Sequence, residues 1–135
     1  MKKILIPVDG SEYADQAALK AAELAKGFGG EVTVLNVAQP FTMLLGFKTA
    51  DELKADAENT AKKTADKLNE SGVKADAVGV VGDPADEIVK IAGEGKYDLI
   101  VMGSKGLTES QRFLVGSVTQ KVVEHAPCSV LVVKI

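Results

Sequence analysis

The chain has 135 residues, 46 % hydrophobic and 26 % charged, with a formal net charge of -3 and one cysteine. This is the length of one domain that buries roughly two-thirds of its unfolded surface, and the acid excess argues against nucleic acid held by phosphate neutralisation. The lone cysteine excludes an internal disulfide and fits a reducing, cytoplasmic setting; no apolar run reaches bilayer-spanning length, the first stopping at Pro7-Val8-Asp9.

Aromatic residues are 4 % of the chain and tryptophan is absent, so the core must come from Val, Ile, Leu and Ala. Ile4-Leu5-Ile6-Pro7-Val8 is continuously apolar, as strands covered on both faces are. Asp9-Gly10-Ser11 ends it, and Ser11 is placed to cap a helix from about Glu12 to Gly27. In that helix Ala17, Ala18, Ala21, Leu24 and Ala25 recur at helical spacing. Glu31 to Val37 is a second strand rich in β-branched residues. Ala38 to Phe47 is apolar without a period, and its Phe41 to Phe47 part reads as folding back on the core, with a lid or docking patch as the other possibility.

A long helix pattern runs from about Thr49 to Ser71, with Leu53, Ala57, Ala61, Ala65 and Leu68 as its stripe and Gly72 as its stop. Lys74 to Val81 is a third, more polar strand, expected near a sheet edge. Asp83 caps and Pro84 opens a helix to about Ala92. Asp98 to Met102 is the fourth strand, Val115 to His125 the last helix, and Cys128 to Val133 the fifth strand. Strand and helix alternate throughout, which predicts a single α/β domain over 1–135: an open parallel sheet with helices on both faces. Ligands of such sheets bind beyond the carboxyl ends of the strands, where strand order reverses.

Between the fourth strand and the last helix lies Met102-Gly103-Ser104-Lys105-Gly106, a polar run, then Gly116-Ser117-Val118-Thr119. Amides at a helix start have no partner within the helix, and the dipole there favours negative charge, which is the geometry that takes a phosphate. Gly103, Gly106, Gly116 and Ser117 follow the spacing G-x2-G-x9-G-S/T. This is similar to the signature of the nucleotide-binding branch of the universal stress protein family. The likeness extends from Lys3-Ile4-Leu5-Ile6-Pro7-Val8-Asp9-Gly10-Ser11 to Ala126-Pro127-Cys128-Ser129-Val130-Leu131-Val132-Val133.

The resemblance implies strand order 3-2-1-4-5, with the reversal between the first and fourth strands, which end at Val8-Asp9 and Met102-Gly103. It implies ATP as ligand, Pro7 and Val8 on the adenine side, and Val37 meeting the base through its backbone. It also implies a homodimer formed through the C-terminal strand, Cys128 to Ile135. Asp9 either accepts from a ribose hydroxyl or base amino group, or closes an Asx-turn with Gly10 and Ser11. Gly103 and Gly106 either wrap a triphosphate or are turn glycines. Gly116, Ser117, Val118 and Thr119 offer amides and two hydroxyls to phosphate oxygens, unless Ser117 is simply an N-cap. Lys105 either neutralises phosphate or is solvated. Lys105, Leu107 and Glu109 depart from the family's commoner His, Arg and Gly, whereas Arg112 remains.

His125 stands at a helix C-terminus, where the dipole favours its charged form. Cys128 reads as an inert thiol at a buried strand. One His and one Cys cannot build a zinc site, so Mg²⁺ enters only through bound phosphates. There is no P-loop motif. Three functions follow: an ATP-binding regulatory module, a slow ATPase or nucleotidyl transferase acting with a partner, or an interaction protein with a vestigial pocket. The first is expected, since no catalytic residue is assigned.

Overall fold

Five parallel strands form one sheet in the computed structural model, which describes residues 3–105 and 115–134. They are β1 (Lys3–Pro7), β2 (Glu31–Ala38), β3 (Ala75–Val81), β4 (Leu99–Gly103) and β5 (Ser129–Val133), in the order β3-β2-β1-β4-β5. The expected order and class hold, with β3 and β5 at the two edges. The connecting helices are α1 (Glu12–Phe28), α2 (Phe41–Leu44), α3 (Ala50–Glu70), α4 (Pro84–Glu94) and α5 (Ser117–His125).

Local chemistry sets the helix starts. Ser11 Oγ accepts from Ala14 N at 3.2 Å, and Asp83 accepts from Asp86 N at 3.0 Å with Pro84 opening α4. Thr49 and Glu52 exchange side-chain and backbone bonds in a capping box at α3. The helix α4 runs to Glu94 rather than Ala92, because it is Gly95 that caps it.

The two faces of the sheet differ in side-chain size. One core joins Ile4, Ile6, Val32, Val34 and Val101 to the alanines of α1 and to Ala61, Ala65 and Leu68 of α3. The six buried alanines of α1 let its axis lie close to the strands. The other core joins Leu5, Leu35, Ile100 and Met102 to Ile88 of α4 and Val122 of α5.

The amino rim of the sheet is clasped. Lys3 N donates to Asp98 Oδ2 at 2.9 Å, and Asp98 N donates to Lys3 O at 2.8 Å. Lys3 Nζ reaches Gly95 O at 2.5 Å and lies 4.6 Å from the centre of the Tyr97 ring, whose hydroxyl donates to Thr33 Oγ1 at 2.9 Å. From there β1 pairs with β4 only at Ile4↔Leu99 and Leu5↔Ile100, whereas β1 and β2 stay paired to Pro7↔Leu35. The sheet therefore parts between β1 and β4 towards its carboxyl end.

The segment from Phe41 to Phe47 does not fold back on the core. Phe41 is 65 %, Leu44 76 %, Leu45 53 % and Phe47 75 % exposed, and α2 buries none of its residues. The core on that side of the sheet is built instead from Val32, Val34, Ala61 and Ala65, and none of the Phe41 to Phe47 side chains belongs to it.

Candidate functional site

The parting of β1 from β4 opens a cavity of about 460 Å³ at the carboxyl ends of the strands. That is within the size range of small-molecule sites. Of the residues singled out in the sequence, Pro7, Val8, Asp9, Val37, Met102, Gly103, Lys105, Gly116, Ser117, Val118 and Thr119 all line it. Gly106 lies outside the described residues, as do Leu107, Glu109 and Arg112.

Asp9 follows β1 and is exposed at the rim. Its Oδ1 accepts from Ser11 N at 2.9 Å, an Asx-turn in which Gly10 takes φ +87, a conformation suited to glycine. The turn does not exclude a ligand, because a carboxylate has about four lone-pair sites. On the β2 side, Leu35 O accepts from Val8 N at 2.8 Å, while Ala38 O accepts from Gly82 N at 2.9 Å towards β3. Main-chain groups of a strand alternate between its two neighbours, so those of Val37 face β1 at a level where β1 has ended. Asn36 Nδ2 donates to Val8 O at 2.7 Å and closes the floor there.

Gly103 is needed for a reason the sequence did not give. A Cβ on it would stand 2.8 Å from Tyr13 O and 2.9 Å from Tyr13 C, so its bare backbone lets β4 end against the first turn of α1. Ser104 N donates to Val133 O at 3.0 Å, and Gly116 N to Ser104 O at 2.7 Å, which fixes the start of α5 beside the end of β4. Thr119 Oγ1 donates to Gly103 O at 2.9 Å and is buried. Its one hydroxyl proton is thereby spent on the fold and is not offered to a phosphate oxygen.

The N-cap of α5 is Gly116, and Ser117 is the first helical residue rather than the cap. Gly116 has φ -61 and ψ 154 and supplies no side-chain bond to the first amides. The other helices behind the strand ends are capped by side chains: α1 by Ser11, α3 by Thr49 and α4 by Asp83. Only α5 among these long helices starts without one.

Sequence reasoning missed Ala14, Leu35, Asn36, Gln39, Thr60, Pro84 and Ile88, which also line the cavity. Gln39 and Pro84 follow the ends of β2 and β3, so the strand-end rule would have found them. Thr60, in the middle of α3, carries no sequence signal at all. Among the described residues no group of three His, Cys, Asp or Glu could hold a metal ion. No described helix is long and apolar enough to cross a membrane.

Cys128 is half-buried, one residue before β5, and burial, followed by the Asp98 carboxylate, raises its pKa. An unfolded chain's thiol ionises near about 8.5. The neutral thiol therefore contributes its full stability below that pH, and the contribution is lost as pH rises through the higher folded value. Alkylation by iodoacetamide at pH 8 should be several-fold slower in the native protein than in urea, read by intact mass; equal rates would show a thiol that burial does not protect.

A family model described as the Universal stress protein family matches residues 1–134, and the chain belongs to that family. The universal stress protein MJ0531 of Methanocaldococcus jannaschii is 41 % identical over 98 % of this chain and 82 % of that protein. The solved structure of MJ0577, from the same organism, superposes with a TM-score of 0.86 at 36 % identity, covering 99 % of this chain and 96 % of that one. Two further solved relatives hold adenine nucleotides. A universal stress protein in complex with cAMP has TM-score 0.77 and 25 % identity over 98 % of this chain and 96 % of its own. That of Archaeoglobus fulgidus in complex with dAMP has TM-score 0.73 and 26 % identity over 98 % and 97 %.

Proposed function

We propose that this chain is an ATP-binding regulatory module, acting in stress response, with the nucleotide lying across the crevice between β1 and β4. The observation that carries the reading is the start of α5. Its first amides meet the cavity beneath a glycine N-cap, where a chain of phosphates gains both hydrogen bonds and the favourable end of the helix dipole. The adenine side is Pro7, Val8 and the main chain of Val37, and Asp9 accepts from a ribose hydroxyl. Gly103, Met102 and Lys105 border the phosphates, with Gly106 joining them by the motif's spacing. Mg²⁺ comes with the phosphates, since no protein cage is assigned to it. The adenine nucleotides bound by the two relatives support the class of ligand.

We take the single, unpaired cysteine as fitting a reducing cytoplasm, and infer a homodimer through Cys128 to Ile135, whose β5 is an edge strand with its Leu131 side chain exposed. Ile135 itself is outside the described residues. Turnover by a slow ATPase would require a group that orients water on the terminal phosphate. Asp9, the one carboxylate lining the cavity among the described residues, sits instead at the tip of β1.

The test is a mass measurement on purified, denatured protein, with a thermal-shift series of ATP, ADP, AMP and cyclic AMP. Co-purified ATP and the largest upward shift with ATP are expected. A larger shift with AMP or cyclic AMP would keep the adenine site and remove the triphosphate; no shift with any of them would remove the site.

A further inference from the structure

The exposed segment at Phe41 to Phe47 is a different surface from the cavity, although α2 begins two residues after the cavity-lining Gln39. Phe41, Leu44 and Leu45 stand at positions i, i+3 and i+4, so they share one helix face, and Phe47 follows after the turn at Gly46. Every phenylalanine among the described residues, Phe28, Phe41 and Phe47, is exposed. A chain this poor in aromatic residues thus keeps these rings out of its core. Aromatic side chains on a surface are what protein interfaces concentrate.

The charge beside the patch is acidic. Lys48 is occupied by Asp56 and Lys54 by Glu58 at 3.9 Å. Asp51 and Glu52 are exposed and form no salt bridge among the described residues; Glu52 is held by the capping box through Thr49 N at 3.2 Å.

We propose that this patch is a docking surface for an amphipathic helix of another protein, apolar on one face and basic along its border. Apolar side chains at i, i+3 and i+4 form ridges on one helix face, and a second helix packs against such ridges with its own apolar face. The border carboxylates select the partner's charge. They oppose an anionic membrane, and a second copy presenting the same patch would bring another acidic border rather than a basic one.

Since the chain has no tryptophan, Phe47→Trp gives a single reporter, with a melting curve to verify that the variant folds. Titration with a Leu/Lys model helix should give a saturable blue shift. A Leu/Glu helix of the same apolar pattern should bind at least about tenfold more weakly. In the same background, Leu44→Ser with Leu45→Ser should cost about tenfold or more in affinity for the Leu/Lys helix. Asp51→Asn with Glu52→Gln, which keeps a capping-box partner, should weaken it several-fold and flatten its salt dependence. No binding, equal binding of the two helices, or binding indifferent to the leucines overturns the proposal. So does a shift driven by protein concentration alone, by anionic vesicles in place of the helix, or by ATP alone. These would assign the patch to a second copy, a membrane or a lid over the cavity.

Discussion

Replacing Gly79 with alanine is expected to cost about 3 kcal/mol of stability and to lower the melting temperature by roughly 10 °C for a domain of this size. Gly79 lies in β3 under α3, and a Cβ there would stand 2.2 Å from Glu58 N, 2.6 Å from Ala57 C and 2.7 Å from Glu58 Cα. These are backbone atoms in a 21-residue helix pinned by Leu53, Ala57, Ala61, Ala65 and Leu68, so they cannot turn aside as a side chain would. Either α3 lifts from the sheet or the edge strand yields. The freedom of an edge strand keeps the cost from being larger. Gly82→Ala is the control, because its nearest contacts are the flexible end of Glu87 at 2.9 Å. Urea unfolding should find less than about 1 kcal/mol for that change. Equal losses at the two positions would mean that β3 and α3 are not packed this closely.

Gly116→Asp should separate binding from folding. The backbone of Gly116 is ordinary for any residue, with φ -61 and ψ 154. An aspartate there would cap α5 by accepting from its first amides, and because Gly116 is buried a melting curve first verifies that the variant folds. It would take the same amides that the proposed phosphates require, and place a negative charge beside them. Like-charge contact costs several kcal/mol, so ATP affinity measured by calorimetry should fall about 100-fold or more. Gly116→Val should also abolish binding, by bulk rather than charge. If both variants fold and bind ATP as the parent does, the nucleotide lies elsewhere.

These two glycines also mark what sequence can and cannot reveal. Gly116 stood out because its setting is local, a glycine, a hydroxyl and an apolar helix face in succession, although the cap falls on Gly116 and not on Ser117. The caps at Ser11 and Asp83 were legible for the same reason, whereas Thr49 read as the start of its helix and is its cap. Gly79 and Gly103 could be seen as glycines, but their need comes from Glu58 and Tyr13, brought beside them only by the fold. Alternation of elements predicted parallel strands, whereas their order came from family resemblance, since periodicity says nothing about which strands are neighbours. Asn36, Gln39 and Thr60 escaped notice because a polar residue at a strand end or helix middle has no distinguishing spacing. Phe41 to Phe47 was misjudged because apolar composition gives a tendency to bury, while burial needs vacant volume. The core closes with Val32, Val34, Ala61 and Ala65 and without any of these side chains.

The clasp of Lys3 by Asp98, Gly95 and Tyr97 makes the sheet a pair of tweezers. The handles are welded by reciprocal bonds, and the tips, near Asp9 and Gly103, stand apart. A guest gripped at the tips would tighten them without disturbing the weld. Amide protons of Ile4 and Leu5 would then exchange at one slow rate with or without it, and only those beyond Ile6 and Val101 would register its arrival.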